Sequence, residues 1–219
     1  MLETVEVETA PNPNAAVIWL HGLGADGHDF EPLVPELVRR GEAAWRFVFP
    51  HAPVRPVTLN GGMPMRAWYD IKGLDRNSAE DTEGFRATER HVRQLLDREV
   101  ARGIATTRIV LAGFSQGGAV SLYTLPRLPQ KLAGVMALSC YLPAGGSFEA
   151  ERVPANDATP IFMAHGQADA TLPMRLGLNS RDFLRAHGYK VQWHEYPMSH
   201  TVSPAEVVDI REFLYSALN

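Results

Sequence analysis

A serine hydroxyl becomes a useful nucleophile near neutral pH only when a neutral imidazole takes its proton and a carboxylate fixes that imidazole's tautomer. One serine, one histidine and one acid are therefore needed, in a frame that can bring them together. Ser115 has suitable surroundings: it lies in Gly113-Phe114-Ser115-Gln116-Gly117, directly after the apolar run Ile109-Val110-Leu111-Ala112 and before a helix-compatible stretch. A Gly-x-Ser-x-Gly turn between strand and helix strains the serine backbone, projects the hydroxyl above the sheet and leaves room for a histidine and a substrate. The bare pattern recurs by chance in unrelated chains, so its context has to support it.

If the acid and the histidine sit on loops after later strands, they follow the serine in the order acid, histidine. The histidines beyond Ser115 are His165, His187, His194 and His200. His200, in Pro197-Met198-Ser199-His200, falls between a strand and the last helix, where a loop can aim an imidazole back over the sheet; it is the preferred base. His165 ends a strand and can organise the turn after it. His187 precedes Gly188 near a helix end, where a carbonyl or dipole contact is the ordinary role. His194 lies inside a strand and reads as a satisfied sheet residue. For the acid, Asp169 follows a core strand in His165-Gly166-Gln167-Ala168-Asp169, whereas Asp157 precedes that strand and Asp182 falls in a helical pattern. Asp169 is preferred, with a surface turn aspartate as the alternative.

Acyl transfer also needs N–H donors for the oxyanion of the tetrahedral intermediate, one after the nucleophile and one from the loop following an early strand. Gln116 supplies the first. The segment His21-Gly22-Leu23-Gly24-Ala25-Asp26-Gly27 follows an apolar run ending at Leu20, and its glycines permit close backbone approach; Leu23 is the second candidate. The same glycines could also form a plain turn.

These residues need a scaffold. Short apolar runs at 17–20, 47–49, 109–111, 135–138, 161–164 and 191–196 alternate with helix-like patterns, which predicts an α/β fold with a mostly parallel sheet. A crossover helix is expected over about 79–102, with Phe85, Thr88, Val92, Leu95, Leu96 and Val100 on one face and Ser78 with Asp81 as a capping box. Ser203, Pro204 and Glu206 predict a last helix starting at Ser203 or Pro204, with Val207, Ile210, Leu214 and Leu218 facing inward. Residues 50–77 show no period yet carry Val57, Leu59, Met63, Met65, Trp68, Tyr69 and Ile71; such a stretch is either a binding element or a cover for a sheet edge. No repeat or low-complexity linker divides the chain, so one domain over 1–219 is expected.

The 219 residues are 45% hydrophobic, ample for a continuous core, and the formal charge of −4 gives no basic footprint for nucleic acid. Glu3, Glu6 and Glu8 stand where a secretory signal needs basic residues, and no run reaches transmembrane length, so a cytoplasmic location without stable membrane insertion is expected. Cys140 is the only cysteine, which rules out an internal disulfide and a cysteine-based zinc cluster; it reads as a small buried residue more readily than as a reactive thiol.

Taken together and in order, His21-Gly-Leu-Gly-Ala-Asp-Gly, Trp68-Tyr-Asp, Gly113-Phe-Ser-Gln-Gly-Gly, Leu138-Ser, His165-Gly-Gln-Ala-Asp and Tyr196-Pro-Met-Ser-His resemble the carboxylesterase, lysophospholipase and acyl-protein thioesterase family of α/β-hydrolases, over almost the whole chain. The resemblance implies helices on both faces of the sheet, a minimal lid, a Ser115–Asp169–His200 triad, oxyanion donors at Leu23 and Gln116, and neither cofactor nor metal. It also implies that the segment around Trp68 borders an acyl groove, with Leu59, Met63, Trp68 and Leu172 as walls. Met63 and Met65 would suit an adaptable wall. His51 and Asp70 lie nearby and receive no catalytic role. Ser199 and Cys140 stand where the family usually has glycine, and Asp169 is followed by Ala-Thr-Leu-Pro; these departures bear on the histidine loop and on preferred chain length.

The implied reaction is hydrolysis of short to medium carboxylic esters through an acyl-serine intermediate. The nearest alternative is a thioesterase or lysophospholipase for longer chains, with an acylated protein or lysophospholipid as partner. A homodimer is compatible with the sequence. A non-catalytic hydrolase-like binding protein would keep the pocket without needing a triad, and an aspartate-nucleophile dehalogenase is disfavoured by the serine at the elbow.

Overall fold

A computed structural model describes residues 1–39, 41–73 and 79–219. In chain order the strands are β1 (Thr4–Glu8), β2 (Ala15–Leu20), β3 (Trp45–Pro50), β4 (Val54–Val57), β5 (Met63–Arg66), β6 (Ile109–Phe114), β7 (Gly134–Leu138), β8 (Ile161–Gly166) and β9 (Val191–Tyr196). The helices are α1 (Val34–Leu37), α2 (Thr82–Ala101), α3 (Gln116–Thr124), α4 (Phe148–Glu151), α5 (Met174–Ala186) and α6 (Pro204–Leu218).

Each apolar run expected to be a strand is one, and together with β1 they build a seven-stranded sheet of order β1-β3-β2-β6-β7-β8-β9. All neighbours are parallel except β1, which pairs antiparallel with β3 at the edge. Strands of the interior are apolar without alternation because both faces are covered. In β2, Ala16, Ile18 and Leu20 join the core beneath α2 and α3, whereas Ala15, Val17 and Trp19 join the core beneath α1 and α6. The parallel connections leave the carboxyl ends of β2, β6, β8 and β9 side by side at one end of the sheet, where loops can converge.

Two helix starts behave differently. α6 begins at Pro204 with Ser203 as N-cap and a complete capping box to Glu206, as its sequence predicts. α2 begins at Thr82, later than expected: Asp81 is itself the N-cap, accepting from Gly84 N–H at 3.1 Å, while Ser78 lies outside the described residues. A Cβ at residue 84 would collide with the Asp81 carboxylate, so glycine there makes room for the cap. The inner face of α2 also ends differently. Val100 is 46% exposed, and the neighbouring Glu99 is fully buried instead, its carboxylate neutralised by Arg46 and Arg102 at 2.7 and 3.0 Å.

Between β3 and α2 the chain leaves the sheet. β4 and β5 form an antiparallel hairpin in which Pro56 and Pro64 face each other, so neither needs to donate to a neighbouring ladder. The excursion is pinned by Asp70, which accepts from Thr58 N–H and the Thr58 hydroxyl at 2.7 and 2.6 Å and donates its own N–H to Asp81 at 2.8 Å. No helix among the described residues is long and apolar enough to cross a membrane.

Candidate active site

Ser115 sits between β6 and α3 with φ 53° and ψ −114°, a conformation that non-glycine residues rarely adopt. Its N–H donates to Leu138 O at 2.8 Å, extending the pairing of β6 and β7 one residue past the strand. The flanking glycines are sterically required. A Cβ on Gly113 would strike the backbone of Gly117, and one on Gly117 would strike the carbonyls of Leu20 and His21, so only hydrogen fits where α3 crosses the end of β2.

The structure brings Asp169 and His200 to this serine. His200 Nδ1 lies 2.6 Å from Asp169 Oδ2, and its Nε2 lies 2.9 Å from Ser115 Oγ. A carboxylate only accepts, so Nδ1 carries the hydrogen and Nε2 presents its lone pair to the serine hydroxyl. The other Asp169 oxygen accepts from the N–H groups of Thr171 and Leu172 at 2.9 and 2.7 Å, which fixes the carboxylate plane. The two loops are zipped together by Gln167 N–H to Tyr196 O and Ala168 N–H to Met198 O, at 2.8 and 3.0 Å, and Gly166 is glycine because a Cβ would meet the Met198 and Ser199 carbonyls. The Phe114 ring packs on the imidazole, centroids 4.8 Å apart.

Leu23 and Gln116 both border the cleft into which Ser115 opens, and among the described residues neither backbone N–H has an acceptor. Gln116 is the first residue of α3, where the helix itself supplies no partner. The segment bearing Leu23 is held by its neighbours. His21 Nε2 accepts Ala52 N–H at 3.0 Å, so its Nδ1–H donates to Gly22 O at 2.6 Å; burial pulls this histidine down to about 4 and keeps it neutral. Gly24 N–H donates to Arg66 O at 2.9 Å, and Gly27 N–H to His51 Nδ1 at 3.1 Å.

The cleft holds about 280 Å³, with Leu59, Ile71, Phe114 and Leu172 among its apolar walls and the Tyr69 and Tyr141 hydroxyls 3.3 Å apart beside them. Of the four wall candidates, Leu59 and Leu172 line this cleft and Met63 and Trp68 do not. Met63 is 59% exposed on the hairpin, outside the cleft lining. Trp68 is fully buried behind the cleft: its indole donates to His21 O and its N–H to Gln116 Oε1, both at 2.8 Å, because a buried indole needs an acceptor and finds one inside the fold. The Gln116 amide completes this clamp by donating to Tyr69 O at 2.7 Å. That side-chain role, like those of His21 and His51, was not anticipated; the only sequence signal was amide and imidazole groups beside glycine-rich turns.

The remaining histidines and the departures resolve simply. His165 donates from Nε2 to Leu172 O at 2.8 Å, organising the turn after β8, and burial lowers its pKa. His187 caps α5 and contacts Phe183 O at 2.7 Å. His194 stacks on Phe162. Cys140 is a free buried thiol against Gly118, with its pKa pushed up by burial. Ser199 is exposed and absent from the positive-φ residues, so its position makes no demand for glycine.

Comparison with known proteins extends the match beyond this site. The phospholipase/carboxylesterase family pattern fits residues 2–218. Acyl-protein thioesterase 1 of Neurospora crassa is 41% identical over 214 residues, covering 93% of this chain and 87% of the relative. The crystal structure of Zea mays acyl-protein thioesterase 2 superposes with a TM-score of 0.89 at 30% identity over 100% of both chains. That of Arabidopsis thaliana SOBER1 gives 0.87 at 29% identity over 94% of this chain and 99% of the other. The sheet order, the elbow after β6 and a sequence pattern that runs nearly end to end make this chain a member of the phospholipase/carboxylesterase family of α/β-hydrolases.

Proposed function

We propose that this protein is a serine hydrolase that deacylates thioesters and carboxylic esters, with S-acylated protein as the leading substrate class. The observation that carries the reading is the continuous relay Ser115 Oγ–His200–Asp169, at 2.9 and 2.6 Å, opening into an apolar cleft beside two unengaged amides. His200 accepts the Ser115 proton as the oxygen attacks the acyl carbonyl, and Leu23 and Gln116 N–H groups receive the oxyanion. The thiol or alcohol leaves with the proton from His200. Water, deprotonated by the same imidazole, then releases the acid, while Asp169 orients the ring in both halves.

The sequence reading put short to medium esters first and the thioesterase second. Relatives named acyl-protein thioesterase 1 at 41% and 39% identity support the thioesterase reading more strongly, with ester hydrolysis compatible. The cleft supports a second reading: about 280 Å³ lies just below the range of typical ligand pockets, which run roughly 300–1,000 Å³. Such a space suits medium acyl chains buried whole, or longer ones that extend past Leu59.

The test is a chain-length series of aryl esters run beside an S-acyl-cysteine peptide, with wild type and Ser115→Ala. The expected outcome is thioester cleavage by the wild type, labelling of Ser115 by a fluorophosphonate, and no turnover by the variant. A rate peak at short esters with no thioester cleavage would restore the carboxylesterase reading, and near-normal hydrolysis by Ser115→Ala would sink the nucleophile. Absence of labelling would favour a binding protein.

A further inference from the structure

His51 follows β3, well before the elbow in the chain, yet its ring meets the loop that carries the Leu23 amide. Gly27 N–H lies 3.1 Å from His51 Nδ1. A backbone N–H can only donate, so Nδ1 must offer a lone pair and the neutral ring must carry its hydrogen on Nε2. The approach is close by construction: a Cβ on Gly27 would meet Phe49 O at 2.5 Å and the His51 ring at 3.2 Å. His51 is itself tied down, its N–H donating to Glu3 O at 2.9 Å.

The bond is one of a reciprocal pair. His21, on the loop, accepts Ala52 N–H; His51, beside Ala52, accepts Gly27 N–H. The loop is therefore stapled to the 50–52 segment at its start and its end, with the turn closed by Ala25 N–H and Gly22 O between them carrying Leu23. The two staples differ in exposure. His21 is 2% exposed and stays neutral down to about 4, whereas His51 is half-buried beneath His28, ring centroids 5.8 Å apart.

We infer that His51 is a positioning residue for the oxyanion loop, and that the proton-free Nδ1 of His51 holds Gly27 and thereby the direction of the Leu23 amide. A proton on Nδ1 would set one N–H against another and release that end of the loop. The charged and titratable groups shown beside His51 are Asp26, His28 and His21, while Arg66 from β5 lies beside His21 and donates to Ala52 O. This inference rests on the proposed roles of Ser115 and Leu23 and adds to them a second group whose protonation turns the site off.

The experiment measures kcat and KM against pH on a neutral aryl ester for wild type, His51→Asn, His51→Phe and Ser115→Ala. An asparagine oxygen reaches the place of Nδ1 and accepts without titrating. At pH 8, His51→Phe should lose about tenfold in kcat with KM unchanged, because small misplacements of reacting groups cost on the order of 10- to 100-fold, and His51→Asn should restore it to within about twofold. On the acid side, log(kcat/KM) of the wild type should fall toward a slope of two, from His200 and His51 together, and that of His51→Asn toward a slope of one. Superimposable profiles for wild type and His51→Asn, with Ser115→Ala inactive, would overturn this inference alone. Turnover by Ser115→Ala would overturn the nucleophile and this inference with it. If His51→Phe does not fold, the comparison of wild type with His51→Asn decides by itself.

Discussion

The two sides of the cleft are supported in different ways. Ser115, Asp169 and His200 stand at or just beyond the carboxyl ends of β6, β8 and β9, and backbone pairing continues past those strands to hold them. The opposite side, from the loop at 21–27 through the hairpin to Tyr69, lies outside the main sheet and is held largely by side chains: His21, His51, Trp68, Asp70 and the Gln116 amide. Backbone ladders fix position with little regard to residue identity, whereas side-chain braces make position depend on single residues. One side should therefore tolerate substitution in its scaffold, apart from the tightly packed glycines at 113, 117 and 166, and fail chiefly at the reacting groups. The other should fail wherever a brace is cut.

The largest expected effect tests the first half of that contrast. In Asp169→Asn, the oxygen that accepts from Thr171 and Leu172 can remain while an amide faces His200 and imposes the wrong tautomer. kcat should fall about 10⁴-fold with little change in unfolding midpoint; a collapse of stability instead would mean that the acid is itself a brace. Next is Gln116→Ala, which strands Trp68 N–H and Tyr69 O inside the protein. Urea denaturation should register a loss of about 2–6 kcal/mol, since each of the two buried unpaired groups costs about 1–3 kcal/mol, and an unchanged midpoint would break the contrast. The smallest is Leu59→Ala at the cleft mouth, 52% exposed. It should raise KM for the longest ester about fivefold, the worth of roughly 1 kcal/mol of apolar contact, and leave short esters and kcat unaffected; equal effects on all chain lengths would remove Leu59 from the acyl path.

The same contrast governs what could be read in advance. β2, β3, β6, β7 and β8 announce themselves as largely apolar runs because both their faces are covered, whereas β9, at the sheet edge, buries Val191 and Tyr196 but exposes Gln192 and Glu195. In the loops after them, Asp169 and His200 are the preferred candidates because they follow Ser115 in the chain and stand just beyond strand-like runs, where the competing histidines and acids do not. β1 escaped notice because an edge strand with Thr4, Glu6 and Glu8 on it carries no apolar run. The hairpin escaped because Pro56 and Pro64 argue against strands, although facing prolines in a two-stranded ribbon violate nothing. Trp68 is expected as a wall from the resemblance, which sets the segment around it at an acyl groove, whereas its indole hydrogen finds its acceptor behind the cleft. The braces at Gln116, His21 and His51 left little mark in the sequence, because the groups they tie across the fold, Trp68 N–H, Ala52 N–H and Gly27 N–H, are backbone groups at least 24 residues away.

Ser115 and Ser139 share an unusual trait. Each follows a parallel strand with positive φ, 53° and 46°, and each donates its N–H to the next strand over, Leu138 O and Ala164 O, both at 2.8 Å. The conformational penalty of a left-handed serine, of order 1–3 kcal/mol, is thereby met once, when the chain folds. With Ser115 as the proposed nucleophile, the fold itself holds the hydroxyl in its working direction, so no share of a substrate's binding energy would be consumed in turning it. Acyl groups of different shape then compete only on how they fit the walls, because the cost of readying the nucleophile is the same for all of them.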